Sequence, residues 1–261
     1  MAQLRALIFD VDGTLADTER DGHRVAFNRA FAEAGLDWEW DVALYGKLLV
    51  ITGGKERIRH YLDCYHPEFR RRPQLQEFIA ALHQAKTRHY TMLMASGGVP
   101  LRTGVRRLLT EARAAGLRLA IATTTTPENV SALLENVSPP VPLSWFEVIA
   151  AGDVVDAKKP APDIYHYVLQ CLGLAPEQCL AFEDSENGVR AARSAGLTTL
   201  ITTNDYTHDH DFDGARLVLT HLGEPDQPFD LLQGELPAAH QRYVDAGLLH
   251  ALPSRASKAA P

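Results

Sequence analysis

The chain has 261 residues, 46% hydrophobic and 23% charged, a composition that supports a buried core and excludes a fibrous or disordered polymer. Its 26 basic and 33 acidic side chains leave a formal net charge of −7, so no global positive field recruits nucleic acid or an anionic membrane. Cys64, Cys171 and Cys179 form neither a CxxC pair nor a Cys/His cluster, which argues against a disulfide framework or structural zinc and suits reduced thiols.

The opening residues, MAQLRALIFDVDG, hold an apolar run too short for a secretory signal. No stretch approaches the ~20 apolar residues of a membrane helix. Residues 6–9 are continuously apolar and stop at Asp10, as expected of a strand buried on both faces of a parallel sheet. The next segment breaks that style. Residues 24–35, 55–65 and 75–93 have helical character with no β-run between them.

After Ser96 strands and helices alternate. Residues 117–122, 146–151, 179–182, 197–201 and 217–219 read as strands, and 104–115, 127–136, 162–172 and 186–195 as helices, several ended by glycine. The alternation predicts an α/β fold with a doubly wound parallel-sheet core and an inserted all-helical domain. The expected division is 1–17 plus 97–230 for the core and 18–96 for the insert, with hinges at 15–18 and 95–98. Residues 231–261 form a C-terminal extension, with an amphipathic helix over 237–252 and a disordered tail at 254–261.

Chemistry-bearing residues gather at the strand ends. Asp10-Val11-Asp12-Gly13-Thr14 closes the first strand, where ligands bind in open α/β sheets. Two carboxylates there repel and call for compensation, which a hard divalent cation supplies. A plain strand-to-turn junction is the competing reading. Thr123, Thr124 and Thr125 follow the second strand with hydroxyls and N–H groups suited to phosphate oxygens, although threonines also cap helices. Lys159, in Lys158-Lys159-Pro160-Ala161-Pro162-Asp163, is a cation held by prolines, and Glu183-Asp184-Ser185 ends a further strand where a helix begins. Acid, hydroxyl, cation and acid at successive strand ends point to one shared site.

With these stretches the sequence resembles the phosphatases of the haloacid dehalogenase superfamily. It carries DVDGT (10–14), ATTT (122–125), KKP (158–160) and FEDSENG (182–188) in the family's order, and the helical insert stands where a type-1 cap stands on a Rossmann-like core. Asp17-Thr18-Glu19, Gly53-Gly54-Lys55-Glu56-Arg57 and Ala157-Lys158-Lys159-Pro160 resemble the CbbY-like branch, whose role is dephosphorylation of xylulose 1,5-bisphosphate.

The resemblance implies that Asp10 is the nucleophile that forms an aspartyl phosphate, and that Asp12 is the general acid and base. Protonation of the leaving oxygen requires a raised Asp12 pKa in the substrate-bound form. It also implies Mg²⁺ held by the Asp10 carboxylate, the Asp12 backbone carbonyl and Asp184, with Glu183 a weaker ligand. Thr123, Thr124 and Lys159 would bind the transferring phosphoryl group. In the cap, Lys55, Arg57, Lys86 and His23 offer charge to a second phosphate, Gly53 and Gly54 allow close backbone approach, and Glu19 accepts from sugar hydroxyls. The corresponding bland readings are a solvated helix face and an ordinary turn.

The expectation is a monomeric, Mg²⁺-dependent phosphohydrolase acting on a small phosphorylated sugar, most closely xylulose 1,5-bisphosphate. No nucleic-acid or membrane partner is expected. Its place would be the cytoplasm, or the chloroplast stroma if a transit peptide has been removed. A phosphosugar mutase of the β-phosphoglucomutase type is the alternative, followed by a non-catalytic binding protein on the same scaffold. His208-Asp209-His210-Asp211 lies in a loop without a strand-end partner and is disfavoured as a second metal tract.

Overall fold

A computed structural model describes residues 3–97, 99–238 and 240–252. Seven strands form one sheet in the order β3-β2-β1-β4-β5-β6-β7: β1 Ala6–Phe9, β2 Arg118–Ala122, β3 Phe146–Ala150, β4 Cys179–Glu183, β5 Thr198–Thr202, β6 Leu217–Leu219 and β7 Leu231–Gly234. The first six run parallel, and β7 pairs antiparallel with β6.

The short apolar runs follow from cover on both faces. Leu7, Phe9, Leu119, Ile121 and Phe182 pack on one side with Leu108 and Leu109 of α5 (Val105–Ala114) and Leu133 of α6 (Pro127–Asn136). Ala6, Ile8, Ala120 and Ala181 pack on the other with Tyr165 and Val168 of α7 (Asp163–Leu172) and Ala191 of α8 (Glu186–Ser194). Alternate residues thus serve opposite layers, as the pleat dictates.

Between β1 and β2 lie a single π-helical turn (Glu19–His23), α1 (Arg24–Glu33), α2 (Val42–Leu48), α3 (Gly54–Tyr65) and α4 (Leu75–Ala95). They enclose their own core of Phe27, Phe31, Trp38, Trp40, Tyr45 and Tyr61, so these two tryptophans are packing residues. Helix α2 is additional to the predicted elements; Asp41 caps it by accepting from the Leu44 N–H at 2.7 Å. The two chain segments that lead into and out of this block run side by side, with Ala16 bridged to Leu101 and the Arg102 N–H donating to the Leu15 carbonyl at 2.9 Å. Gly98, part of the predicted second hinge, lies outside the described residues. No helix among the described residues is long and apolar enough to cross a membrane.

The C-terminal region departs from expectation. Residues 231–234 extend the core sheet, and the helix is only α9 (Ala246–Ala251), started by Asp245 accepting from the Leu248 N–H at 2.6 Å. The preceding backbone is committed elsewhere: the Arg242 carbonyl accepts from Phe229 at 2.8 Å, and the Val244 N–H donates to Leu222 at 2.7 Å. Phe229, Val244, Leu248 and Leu249 are buried in the same cluster as β1. The tail expected to be disordered lies outside the described residues.

Because Leu248 fills a place in that cluster, Leu248→Ala is expected to lower the unfolding free energy by about 2–5 kcal/mol, read from urea denaturation. A change within error would show that the segment after β6 is an appendage.

Candidate active site

Register assembles the site. Phe9 sits level with Ile121 on one side and Phe182 on the other, so the residues that follow β1, β2 and β4 emerge together at the carboxyl edge. Asp10, Thr123 and Asp184 are those residues, and all three are buried. Strand β1 has β2 and β4 as its two neighbours, the switch-point position where such sheets bind ligands.

Lys159 ties the cluster together. Its ammonium donates to Asp10 Oδ1 at 2.7 Å, to the Ala122 carbonyl at 2.9 Å and to Glu183 Oε1 at 2.5 Å. Tyr165 donates its hydroxyl to the same Glu183 oxygen, and its ring lies 5.3 Å from the ammonium. Glu183 Oε2, also buried, has no hydrogen-bond partner among the described residues and presses on α8: a Cβ at Gly188 would stand 1.9 Å from it. Gly13 is confined similarly, since its φ is +87° and a Cβ would stand 2.2 Å from Asp184 Oδ2. That oxygen accepts from the Asn204 amide at 2.7 Å.

Carboxylate oxygens of Asp10, Glu183 and Asp184 lie within 4.8 Å of one another. Burial pushes Asp10 up to about 8 against the pull of Lys159, and burial with the Asp10 and Glu183 charges pushes Asp184 well above the ordinary carboxylate range. Burial opposes the charge on Lys159, but Asp10 and Glu183 outweigh it and hold the ammonium above its usual value. One ammonium contacts two of the three buried acids. The donor set is all oxygen and short of positive charge, which fits a hard divalent cation.

Asp12 is set apart from this group. Its Oδ1 accepts from the Thr18 hydroxyl at 2.5 Å and pairs with His23 Nε2 at 2.7 Å. Lys86 approaches His23 Nδ1 at 2.6 Å. An ammonium carries only protons, so Nδ1 accepts and Nε2–H is the atom that faces the carboxylate. Burial acts to raise Asp12, but His23, Thr18 and Lys86 prevail and bring it down to about 2. These contacts favour the ionised form of the Asp12 carboxyl. Burial in turn lowers Lys86 to about 8.

Above the carboxylates, the Tyr45 hydroxyl donates to Glu19 Oε2 at 2.5 Å and accepts from Arg57 at 2.9 Å. Asp10, Asp12, Glu19, Arg57, Thr123, Thr124, Lys159 and Asp184 line one cleft of about 370 Å³ between core and cap. His23, Gly53, Gly54 and Lys86 line a smaller chamber beside it, which shares Asp12, Glu19, Arg57 and Thr124. Lys55 does not join them. Its side chain is 40% exposed and pairs with Asp153 of the core, which also holds Lys158 at 2.6 Å. It stands two positions before the cleft-facing Arg57, about 200° around α3, so the cap's cationic cluster is smaller than the sequence suggests.

Several contributors carried no sequence signal of their own. Tyr165 and Tyr45 read as core aromatics, and Asn204 as a loop residue. Asn187 links α8 to the cap through the Val50 carbonyl at 3.1 Å and Thr52 Oγ1 at 3.0 Å. The His208–Asp211 loop brings only His210 to the cleft wall, where its Nδ1 accepts from the Glu186 N–H at 3.3 Å.

The comparisons agree with this geometry. Residues 4–196 match the family model of haloacid dehalogenase-like hydrolases. The plasmid-borne protein CbbY of Cupriavidus necator is 50% identical over 251 residues, spanning 95% of this chain and 96% of that one. The protein CbbY of Rhodobacter capsulatus is 52% identical over 213 residues, 82% of this chain and 91% of its own. Among solved structures, a CbbY variant from Rhodobacter sphaeroides in complex with xylulose 1,5-bisphosphate superposes with a TM-score of 0.77 at 45% identity, covering 85% of this chain and 96% of that one. Matched by the family model over both the first strand's acidic tip and the Glu183–Asp184 pair, and sharing half its residues with a relative of nearly equal span, the chain belongs to the haloacid dehalogenase-like hydrolases, as a phosphatase of their CbbY-like branch.

Proposed function

We propose that the chain is a Mg²⁺-dependent sugar-phosphate phosphatase that works through an aspartyl phosphate and converts xylulose 1,5-bisphosphate to xylulose 5-phosphate. The observation that carries this reading is Lys159, held by Glu183 and Asp10 at the strand end where Thr123 and Asp184 also emerge. The ligand of the Rhodobacter sphaeroides CbbY complex supports the choice of sugar.

In this reading the Asp10 carboxylate attacks phosphorus and the P–O bond to the sugar breaks. Asp12 gives a proton to the departing oxygen, then takes one from the water that attacks the acyl phosphate, so that free phosphate leaves and Asp10 is restored. An incoming phosphate dianion raises the proton affinity of Asp12, which His23, Thr18 and Lys86 otherwise keep low. Asp10, the Asp12 carbonyl and Asp184 would hold Mg²⁺, which would supply positive charge to the phosphoryl oxygens. Thr123, Thr124 and Lys159 orient the same group, and positioning of this kind dominates phosphoryl transfer. In the cap, Glu19 accepts from sugar hydroxyls and Arg57 attracts the second phosphate, with Gly53, Gly54, His23 and Lys86 lining the adjoining chamber.

Incubation of the protein and Mg²⁺ with xylulose 1,5-bisphosphate is expected to release one phosphate per sugar and leave the 5-phosphate. Chelation stops release and added Mg²⁺ restores it, and Asp10→Asn lowers kcat by at least about 10⁴-fold. An isomerised sugar phosphate without free phosphate would instead assign a mutase. A second prediction tests the support of Lys159: Gly188→Ala displaces Glu183 and is expected to cut kcat about a hundredfold, the penalty typical of an ångström-scale misplacement. Wild-type kcat in a folded Gly188→Ala protein would remove Glu183 from the account.

A further inference from the structure

Arg102 begins the core again after the helical cap, and its guanidinium, with a side chain 8% exposed, has acceptors for both Nη groups and an ion-pair partner at Nε. Nη1 donates to the Gly13 carbonyl and to Thr202 O at 3.1 Å. Nη2 donates to Thr203 O at 2.5 Å and Thr220 O at 3.0 Å. Nε faces Asp17 Oδ1 at 3.3 Å. Its own backbone N–H completes the set on Leu15. Four segments converge on this one side chain: the loop after the nucleophile, the linker that enters the cap, and the loops that follow β5 and β6.

Three of those segments have a part in the site. Gly13 follows Asp12 and lies against Asp184. Thr202 and Thr203 lead directly into Asn204, whose amide holds Asp184 Oδ2. Asp17 precedes Thr18, the hydroxyl partner of Asp12. A guanidinium offers five donors in a rigid planar fork, whereas an ammonium offers three on a flexible stem. Lysine at this position keeps the charge and cannot span all the carbonyls.

We propose that Arg102 is a positioning residue for the phosphatase reaction: it pins both cap linkers to the Gly13 and Thr203 loops, so that cap movement turns about a fixed point without displacing Asp12 or Asp184. The inference rests on the function proposed above and adds to it a mechanical role for a residue that touches neither substrate nor reacting atoms. Cap residues 19–95 hang from two strands of backbone that meet at Leu15, Ala16, Leu101 and Arg102. Without the pin, any swing of that block would drag the loop two residues beyond the nucleophile.

The test compares Arg102→Lys with the unaltered protein by thermal unfolding, steady-state kinetics on xylulose 1,5-bisphosphate and amide hydrogen exchange. Expected is a folded protein whose kcat falls about a hundredfold with KM changed far less. Exchange quickens in 10–18 and 202–206 but not in α7. Wild-type kcat, or a loss accompanied by faster exchange throughout the sheet, overturns the proposal. Asp17→Asn keeps it falsifiable should Arg102→Lys fail to fold: weakening one arm of the pin should lower kcat by a smaller factor and quicken exchange at 15–18 without lowering the melting temperature. Unchanged kcat and exchange in that variant count against the pin. If the unaltered protein releases no phosphate from any ester, the function proposed above fails, while the localised exchange difference still decides the role of Arg102.

Discussion

The contact of the Lys159 ammonium with Asp10 and Glu183 is the constraint around which the rest is arranged. Three carboxylates buried within a few ångströms would be prohibitively unfavourable without compensation. One lysine reduces that cost but does not remove it, and the remaining imbalance leaves the site short of positive charge, the condition a hard dication suits. The sheet makes the arrangement possible. Parallel strands end on the same side, so Asp10 and Glu183, far apart in sequence, arrive beside each other without any loop having to bend toward them. Tyr165 and Gly188 fix Glu183 from below, one by donating a hydrogen bond and the other by leaving room.

The cap supplies a second electrostatic layer with different rules. Asp12 belongs to it as much as to the core, since its partners Thr18, His23 and Lys86 lie in or next to the helical block. Asp10 is thus held by core residues and Asp12 by cap residues. That division gives the two carboxylates, two residues apart, opposite protonation tendencies, up to about 8 for Asp10 and down to about 2 for Asp12. Contacts across the cleft, Lys55 with Asp153 and Asn187 with Val50 and Thr52, hold the two bodies together in the described state.

The strand ends were legible because each apolar run stops abruptly at a polar residue whose chemistry is distinctive, and the pattern that marks a buried strand also marks where its side chains emerge. Helix α2 was not, because Val42–Leu48 is short and interrupted by Gly46, so it shows no clear period. Strand β7 is an exposed edge of four residues ending in glycine and looks like a loop. Lys55 was misplaced for a geometric reason: adjacency to Gly53-Gly54 suggests proximity to the site, but its direction on α3 takes it to Asp153. Arg102 escaped for another. Its partners, apart from Asp17 and the Thr202 hydroxyl, are backbone carbonyls, which every residue possesses and which no sequence pattern announces.

The burial of Val244, Leu248 and Leu249 against the layer that includes β1 has a consequence for biosynthesis. Asp10 is made 149 positions before Lys159, and the hydrophobic closure of its strand comes later still. A nascent chain must therefore keep β1 soluble until those segments emerge, since long-range parallel pairing cannot begin until distant partners exist. Ribosome-bound intermediates carry Asp10 without Lys159 and Glu183, and the cluster at the carboxyl edge assembles only after both have been made.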